Sequence, residues 1–310
     1  MKELALIWFM IVLILLLVIP FVALKGVFFF GEERGPEIVV YDHRQERVYQ
    51  LEVEDYLLGV LGAEMPASFH IEALKAQAVV ARTYVLRRLS EYGGQGPDPV
   101  TGAHITSNPL YDQEWMSGVA LLARWGPGYL DYYHHLSQAL EETRGQVLTH
   151  QGELIEALYH ASAGGRTEDA YYLWENYYPY LQGVESPWDE GLPANMNNYS
   201  FCWEELASGF DLADPHHLEV LSRSPSGRVL VMELGERVIS GQEFRSGLQL
   251  PSTLLNFDTV GNGVVVEARG HGHGVGMSQY GAEGMAREGY SYRAILDYYY
   301  QDVKLGWIDY

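Results

Sequence analysis

Hydrophobic and polar positions divide the chain near residue 30. Before that point one apolar run, Leu4 to Leu24, holds 21 positions without a charge. As a helix rising about 1.5 Å per residue, such a run spans a hydrocarbon layer of about 30 Å. A cleaved signal peptide has an apolar region of roughly 7 to 15 residues and a small-x-small cleavage site. Neither fits, so residues 1–30 are read as an uncleaved anchor with a transmembrane helix over 4–24. Lys2 and Lys25 flank the run on opposite sides and nearly cancel the positive-inside signal, so charge does not orient it. Phe28, Phe29 and Phe30 read as interfacial aromatics at a membrane exit.

Gly35-Pro36 marks the boundary of a folded part over 36–310, where short strands are predicted between Ile38 and Val53. From Val53 to Leu61 the apolar residues Val53, Tyr56, Leu57, Val60 and Leu61 fall at helical spacing. Pro66 restricts Met65 and ends that helix, which leaves Glu64 near its C-terminus. A second helix is predicted over Ile71–Leu89, with Ser68 as cap and Tyr92-Gly93-Gly94 as its close. After a polar, glycine-rich loop over 93–112, helices are expected at Gln113–Leu122 and Leu130–Arg144, with Gly145 as a C-cap. Strands at Val147–Leu148 and Leu154–Tyr159 and a helix from Thr167 to Trp174 follow. The stretch 187–267 carries strand-like runs such as Val229–Leu234 and Val264–Ala268 and is read as a β-rich second lobe. The expected class is α+β, and no repeat of fixed period occurs.

Composition narrows the function. With 47% hydrophobic and 20% charged residues over 310 positions, the chain can bury a core. A formal net charge of -21 argues against a nucleic-acid partner, which requires a concentrated basic surface. The single cysteine, Cys202, excludes an internal disulfide and any Cys-rich zinc motif, and reads as a small buried hydrophobe.

Candidate chemistry lies in a few segments. Lys75 and Arg82, seven positions apart on the second helix, share nearly one face. They are either a solvated face with snorkelling stems or cations turned toward Glu64 or an anionic sugar substituent. In Tyr159-His-Ala-Ser-Ala-Gly-Gly-Arg-Thr-Glu168 a strand meets a helix through Gly164-Gly165. Thr167 as a cap there would leave an anion- or sugar-binding N-terminus flanked by Ser162 and Arg166, or the junction is plain turn chemistry. In Arg269–Ala282, Gly270, Gly272, Gly274 and Gly276 alternate with His271, His273, Val275 and Met277. If extended, the larger side chains share one face and the bare face admits a backbone or ligand. No register gives a dinucleotide or phosphate loop, and His271-x-His273 lacks a third metal ligand.

These residues resemble the stage II sporulation protein D family and the related amidase enhancers, cell-wall proteins of bacteria. The blocks are Glu54-Asp-Tyr-Leu-x-Gly59, Ala63-Glu-Met-Pro66, Glu72–Val79 with Ala81-Arg-Thr-Tyr84, Ser162–Glu168, and Gly272–Ala282. The resemblance implies a membrane-anchored lytic transglycosylase with its catalytic domain outside the cytoplasm, acting on peptide-denuded peptidoglycan strands during engulfment. It would cut between N-acetylmuramic acid and N-acetylglucosamine and leave 1,6-anhydro ends. Glu64 matches the family's catalytic glutamate, acid then base. Lys75 and Arg82 match active-site positions, and Ser162, Arg166, His271, His273, Ser278 and Gln279 are expected to bind substrate. Implied partners are glycan strands, the amidase SpoIIP and the membrane protein SpoIIM.

Burial against Met65 and Tyr56 would raise the Glu64 pKa and nearby Lys75 and Arg82 would lower it. Hydrolysis through a second carboxylate is a further reading that 41 acidic residues leave open. Some family members hold zinc through Cys and His in the segment matching Thr101–Trp115. Here that segment has His104 and no cysteine, so no metal or cofactor is expected. Asn108-Pro109 turn chemistry and packing of Tyr111 and Trp115 would hold the loop instead. The alternative function is a glycan-binding amidase activator that does not cut.

Overall fold

The Val53–Glu64 helix (α1) follows a hairpin of β1 (Glu37–Asp42) and β2 (Arg47–Glu52) and ends one residue before Met65, which Pro66 holds extended at φ -120° and ψ 148°. The structure is a computed structural model that describes residues 35–190, 192 and 196–310. The anchor reading over 1–30 lies outside the described residues. Among the described residues, no helix is long and apolar enough to cross a membrane. Glu37–Asp309 form one compact unit of mixed helices and strands.

At the centre of the first half is α2 (Ile71–Leu86), an alanine-rich helix with 13 buried positions. Its small side chains let α1, α4 (Tyr129–Glu141), β4 (Gln146–His150), α8 (Gln279–Arg287) and α9 (Tyr292–Tyr299) pack around it. The cap is the His70 side chain, which accepts the Glu72 N–H, rather than Ser68. The helix expected at Gln113 begins at Gly118 instead (α3, Gly118–Trp125, capped by Ser117), because residues 113–116 cross α1 with Gln113 and Trp115 buried. Gly59 and Gly62, one turn apart on α1, make this crossing possible. A Cβ on Gly59 would strike Trp115, and one on Gly62 would strike Leu121. Two helical glycines cost about 1 kcal/mol each relative to alanine, so this close approach carries a real penalty.

A second core gathers Trp203, Leu206, Phe210, Met232, Leu234, Phe244, Leu255 and Val266, with their neighbours. It is built on the sheet β13-β14-β9 (Leu254–Val260, Gly263–Arg269, Met196–Cys202) and the meander β10-β11-β12 (Leu218–Arg223, Val229–Leu234, Arg237–Ser240). Helices α6 (Trp203–Phe210) and α7 (Gly241–Gly247) cover it. At roughly 1.5–3 kcal/mol per large apolar side chain removed from water, this cluster sustains its own region. Cys202 is not the buried hydrophobe expected: it is half-buried and stands at the N-cap of α6.

Three other expectations give way. The Leu154–Tyr159 run splits into β5 (Glu153–Leu154) and β6 (Tyr159–His160). Thr167 caps nothing: its hydroxyl bridges to Val184, Gly165–Arg166 form β7 against β8 (Glu185–Ser186), and the helix shrinks to α5 (Tyr171–Trp174). The glycine-alternating segment is not extended, since Gly270, Gly272, Gly274 and Gly276 have φ of 71°, 103°, 89° and 74°. Only glycine takes these values freely, and a Cβ at Gly276 would strike the Leu158 carbonyl. The segment straightens only at β15 (Met277–Ser278), parallel to β6.

Candidate active site

Glu64 is half-buried at the last position of α1, at the helix's negative end. Arg124 of α3 donates to the Gly62 and Ala63 carbonyls at 3.2 Å each and so satisfies two of the acceptors left open there. Two donors meet the carboxyl. The Glu114 N–H donates to Oε1 at 2.7 Å, delivered by the crossing that Gly59 and Gly62 permit. The Tyr159 hydroxyl donates to the same oxygen at 3.0 Å. The Gln279 side chain adds the weakest of the main influences on the Glu64 pKa. Pairing of β6 with β15, Met277 against Tyr159, sets the last two side by side.

Desolvation dominates these donors and pushes the Glu64 pKa up to about 7; the Glu114 N–H, Tyr159 and Gln279 pull it down and the Glu114 carboxylate pushes it up. Near neutrality the group is thus present in both forms, as a proton donor that later accepts requires. Tyr159 is half-buried, and its phenol is pushed well above the ordinary value, first by desolvation and then by Glu64, so it serves only as a neutral hydrogen-bond donor. Its hydroxyl also lies 3.1 Å from Gln113 Oε1, which orients it.

The other expected site residues fall into separate groups. Lys75 pairs with Glu72 at 2.7 Å and Glu142 at 2.5 Å and lies over the Tyr292 ring, so it clamps α2 to α4 and α9. Arg82 is wholly buried and holds Glu54 through two bonds of 2.8 and 2.7 Å, with a third to the Gln146 carbonyl. Both cations act as cross-links around α2 rather than as partners of Glu64, and neither is among the main influences on its pKa. Arg166 pairs with Glu185 and reaches the Gly183 carbonyl.

Ser162 and Ser278 converge on Asp189, which is completely buried. Its Oδ2 accepts from Ser162 Oγ at 3.2 Å, from the Ala163 N–H at 2.6 Å and from Ser278 Oγ, and its Oδ1 accepts from the Gly165 N–H at 3.2 Å. Ser278 in turn caps α8 by accepting the Gly281 N–H. This knot fixes where Gln279 begins.

His271 is exposed, whereas His273 is packed against Trp174 and His160, with ring centroids 5.7 Å away in each case. His273 accepts the Val275 N–H at 3.1 Å; burial, reinforced by Arg245, lowers its pKa to about 4. A neutral His273 therefore packs against His160, at the end of the strand that carries Tyr159. In the Thr101–Trp115 loop, His104 accepts the Val39 N–H, Asn108 accepts from Leu110, and Trp115 is buried. Tyr111 does not pack as expected, being 76% exposed. Among the described residues, the trio with metal-like spacing is His217, Glu219 and Glu233, on an open strand face and not among the groups that meet Glu64.

A family model described as stage II sporulation protein matches residues 41–150. The chain is 32% identical over 281 residues to stage II sporulation protein D of Bacillus amyloliquefaciens, covering 90% of this chain and 81% of that protein. It belongs to the stage II sporulation protein D family. The Bacillus subtilis stage II sporulation protein D is also 32% identical, over 275 residues, with 88% and 79% covered. The amidase enhancer of Bacillus subtilis is 27% identical over 306 residues, covering 80% of this chain and 40% of that protein. In this member of the family the 41–150 span supplies Glu64 and the Glu114 N–H, while Tyr159 and Gln279 arrive from beyond it.

Proposed function

We propose that this chain is a membrane-anchored peptidoglycan lytic transglycosylase of sporulation, acting on glycan strands stripped of peptides. The observation that carries the reading is Glu64, a half-buried carboxyl held near pKa 7 with fixed donors on Oε1. Protonated Glu64 gives its proton to the glycosidic oxygen as the bond from C1 of N-acetylmuramic acid breaks. The resulting carboxylate then takes the proton of that sugar's 6-hydroxyl as its oxygen closes on C1. Glu64 ends protonated again, no water enters, and the product is a 1,6-anhydro end. One carboxyl serves both steps, whereas the usual hydrolytic route needs a second at a set distance. The half-exposed Trp174, seated on His273, offers an aromatic face of the kind sugar rings stack on.

The test is to incubate the protein with peptide-free glycan strands and weigh the products, comparing the parent with Glu64→Gln. Anhydro ends that vanish in the variant support the proposal. Water-added ends would make the protein a hydrolase. Binding of strands without cleavage by the folded parent would leave a non-cutting activator of the kind the amidase-enhancer relative's name describes.

A further inference from the structure

Gln113 lies on the segment that crosses α1, one residue before the Glu114 N–H that meets Glu64, and it is 3% exposed. A buried primary amide has one donor end and one acceptor end, and its partners decide which way it faces. Here Nε2 donates to the Ala81 carbonyl of α2 at 3.3 Å and lies 3.5 Å from the Tyr56 hydroxyl. A backbone carbonyl only accepts, so the nitrogen faces Ala81 and Oε1 is turned to the Tyr159 hydroxyl at 3.1 Å.

Tyr159 therefore has one hydroxyl hydrogen and two acceptors, Gln113 Oε1 at 3.1 Å and Glu64 Oε1 at 3.0 Å. The hydroxyl rotates about its C–O bond and bonds fully to one of them at a time. Charge decides which. An ionised carboxylate outcompetes an amide oxygen, because charge-assisted hydrogen bonds are roughly twice as strong as neutral ones. A protonated carboxyl is a weaker acceptor than an amide, so the hydroxyl then turns to Gln113. The Glu114 N–H, bonded to Oε1 at 2.7 Å, cannot accept a proton, so Oε1 is the acceptor in both states and the acid carries its proton on Oε2.

We propose, resting on Glu64 as the acid and base of strand cleavage, that Gln113 is a positioning residue whose amide oxygen holds the Tyr159 hydroxyl while Glu64 is protonated and yields it to Oε1 once Glu64 has given its proton away. Gln113 acts through Tyr159 alone. It keeps one donor in reserve for the moment at which negative charge forms on Glu64, and by rewarding the protonated state it opposes ionisation before the first step. The titratable and charged groups acting around this trio are Tyr56 of α1, Tyr84 of α2, Arg88 just beyond α2, and Asp112 and Glu114 beside Gln113. Replacing Gln113 by an uncharged side chain alters none of these charges.

Infrared titration of the full chain follows the Glu64 carboxyl, its band assigned by subtracting the Glu64→Gln spectrum. Gln113→Met keeps the side chain's length and removes the rival acceptor, so the hydroxyl stays with Glu64. The Glu64 midpoint should fall by about half to one pH unit, the range expected for one hydrogen bond. Tyr159→Phe should move it the opposite way, and adding Gln113→Met to Tyr159→Phe should produce no further shift. The alkaline limb of kcat/KM on glycan strands should fall with the midpoint in Gln113→Met. A midpoint that stays or rises in folded Gln113→Met overturns the proposal, as does a fall that persists undiminished in the Tyr159→Phe background. If Gln113→Met does not fold, the parent decides: its Tyr159 C–O band, assigned by subtracting the Tyr159→Phe spectrum, should shift across the Glu64 midpoint as the hydroxyl changes acceptor, and a band that stays fixed overturns the proposal. Should the parent leave strands uncut while the titrations behave as stated, the cleavage reading fails and the hydroxyl switch stands.

Discussion

Two carboxyl groups, Glu64 and Asp189, are held by the same short region of chain and treated in opposite ways. Asp189 is wholly enclosed and receives four donors spread over both oxygens. Glu64 is only half-buried, yet its two donors crowd onto Oε1 while desolvation works against the charge. Enclosure with enough donors turns a carboxylate into a structural fastener. Enclosure with too few leaves the proton negotiable, and this separates an acid and base from a cross-link.

The sharpest way to break this comparison is Glu64→Gln, which should reduce strand cleavage by at least about 100-fold, the lower bound for loss of a positioned acid. An equal loss of folded protein, read by circular dichroism, would instead make Glu64 structural. Next in size, Asp189→Ala strands two hydroxyls and two backbone N–H groups and should cost about 3–5 kcal/mol in urea unfolding. A loss below about 1 kcal/mol would show that the knot is dispensable.

A third effect concerns pH. Glu64 rises from 4.5 to about 7 on folding, so the folded state binds the extra proton between those values. Stability from this group is therefore fully present below pH 4.5 and is lost as pH rises toward 7, by up to about 3 kcal/mol. Calorimetry should find Glu64→Gln gaining on the parent between pH 5 and 8, and parallel curves would contradict the assignment. The smallest effect is expected from Tyr159→Phe, which removes one donor and should lift the Glu64 midpoint by about half to one pH unit. A downward shift would mean that Tyr159 does not donate to it.

Sequence periodicity and one proline located α1 and placed Glu64 at its end, because both signals are local. The glycine alternation also marked a special segment, although its meaning was reversed: repeated left-handed turns replaced an extended face. Gln279 was singled out through the family pattern, and its side chain is among the influences on the Glu64 pKa. Tyr159 read as an ordinary strand residue, since nothing in its neighbourhood shows that a chain segment near 277 will pair beside it. Asp189 carried no signal, for a carboxylate after Pro187-Trp188 looks like any turn until its four donors converge. Lys75 and Arg82 shared a helix face as spacing required, but spacing does not reveal that Glu142 and Glu54 wait for them.

The two-residue pairing of Met277–Ser278 with Tyr159–His160 also bears on when the site comes into being. Contacts between distant segments form after local helices, since closing a long loop must precede any gain from it. While the chain emerges from synthesis, α1 and its glutamate are complete long before residue 279 exists. Until that segment docks beside Tyr159, the surroundings of Glu64 are incomplete, so the site depends on a stretch far along the chain from the helix that carries its carboxyl.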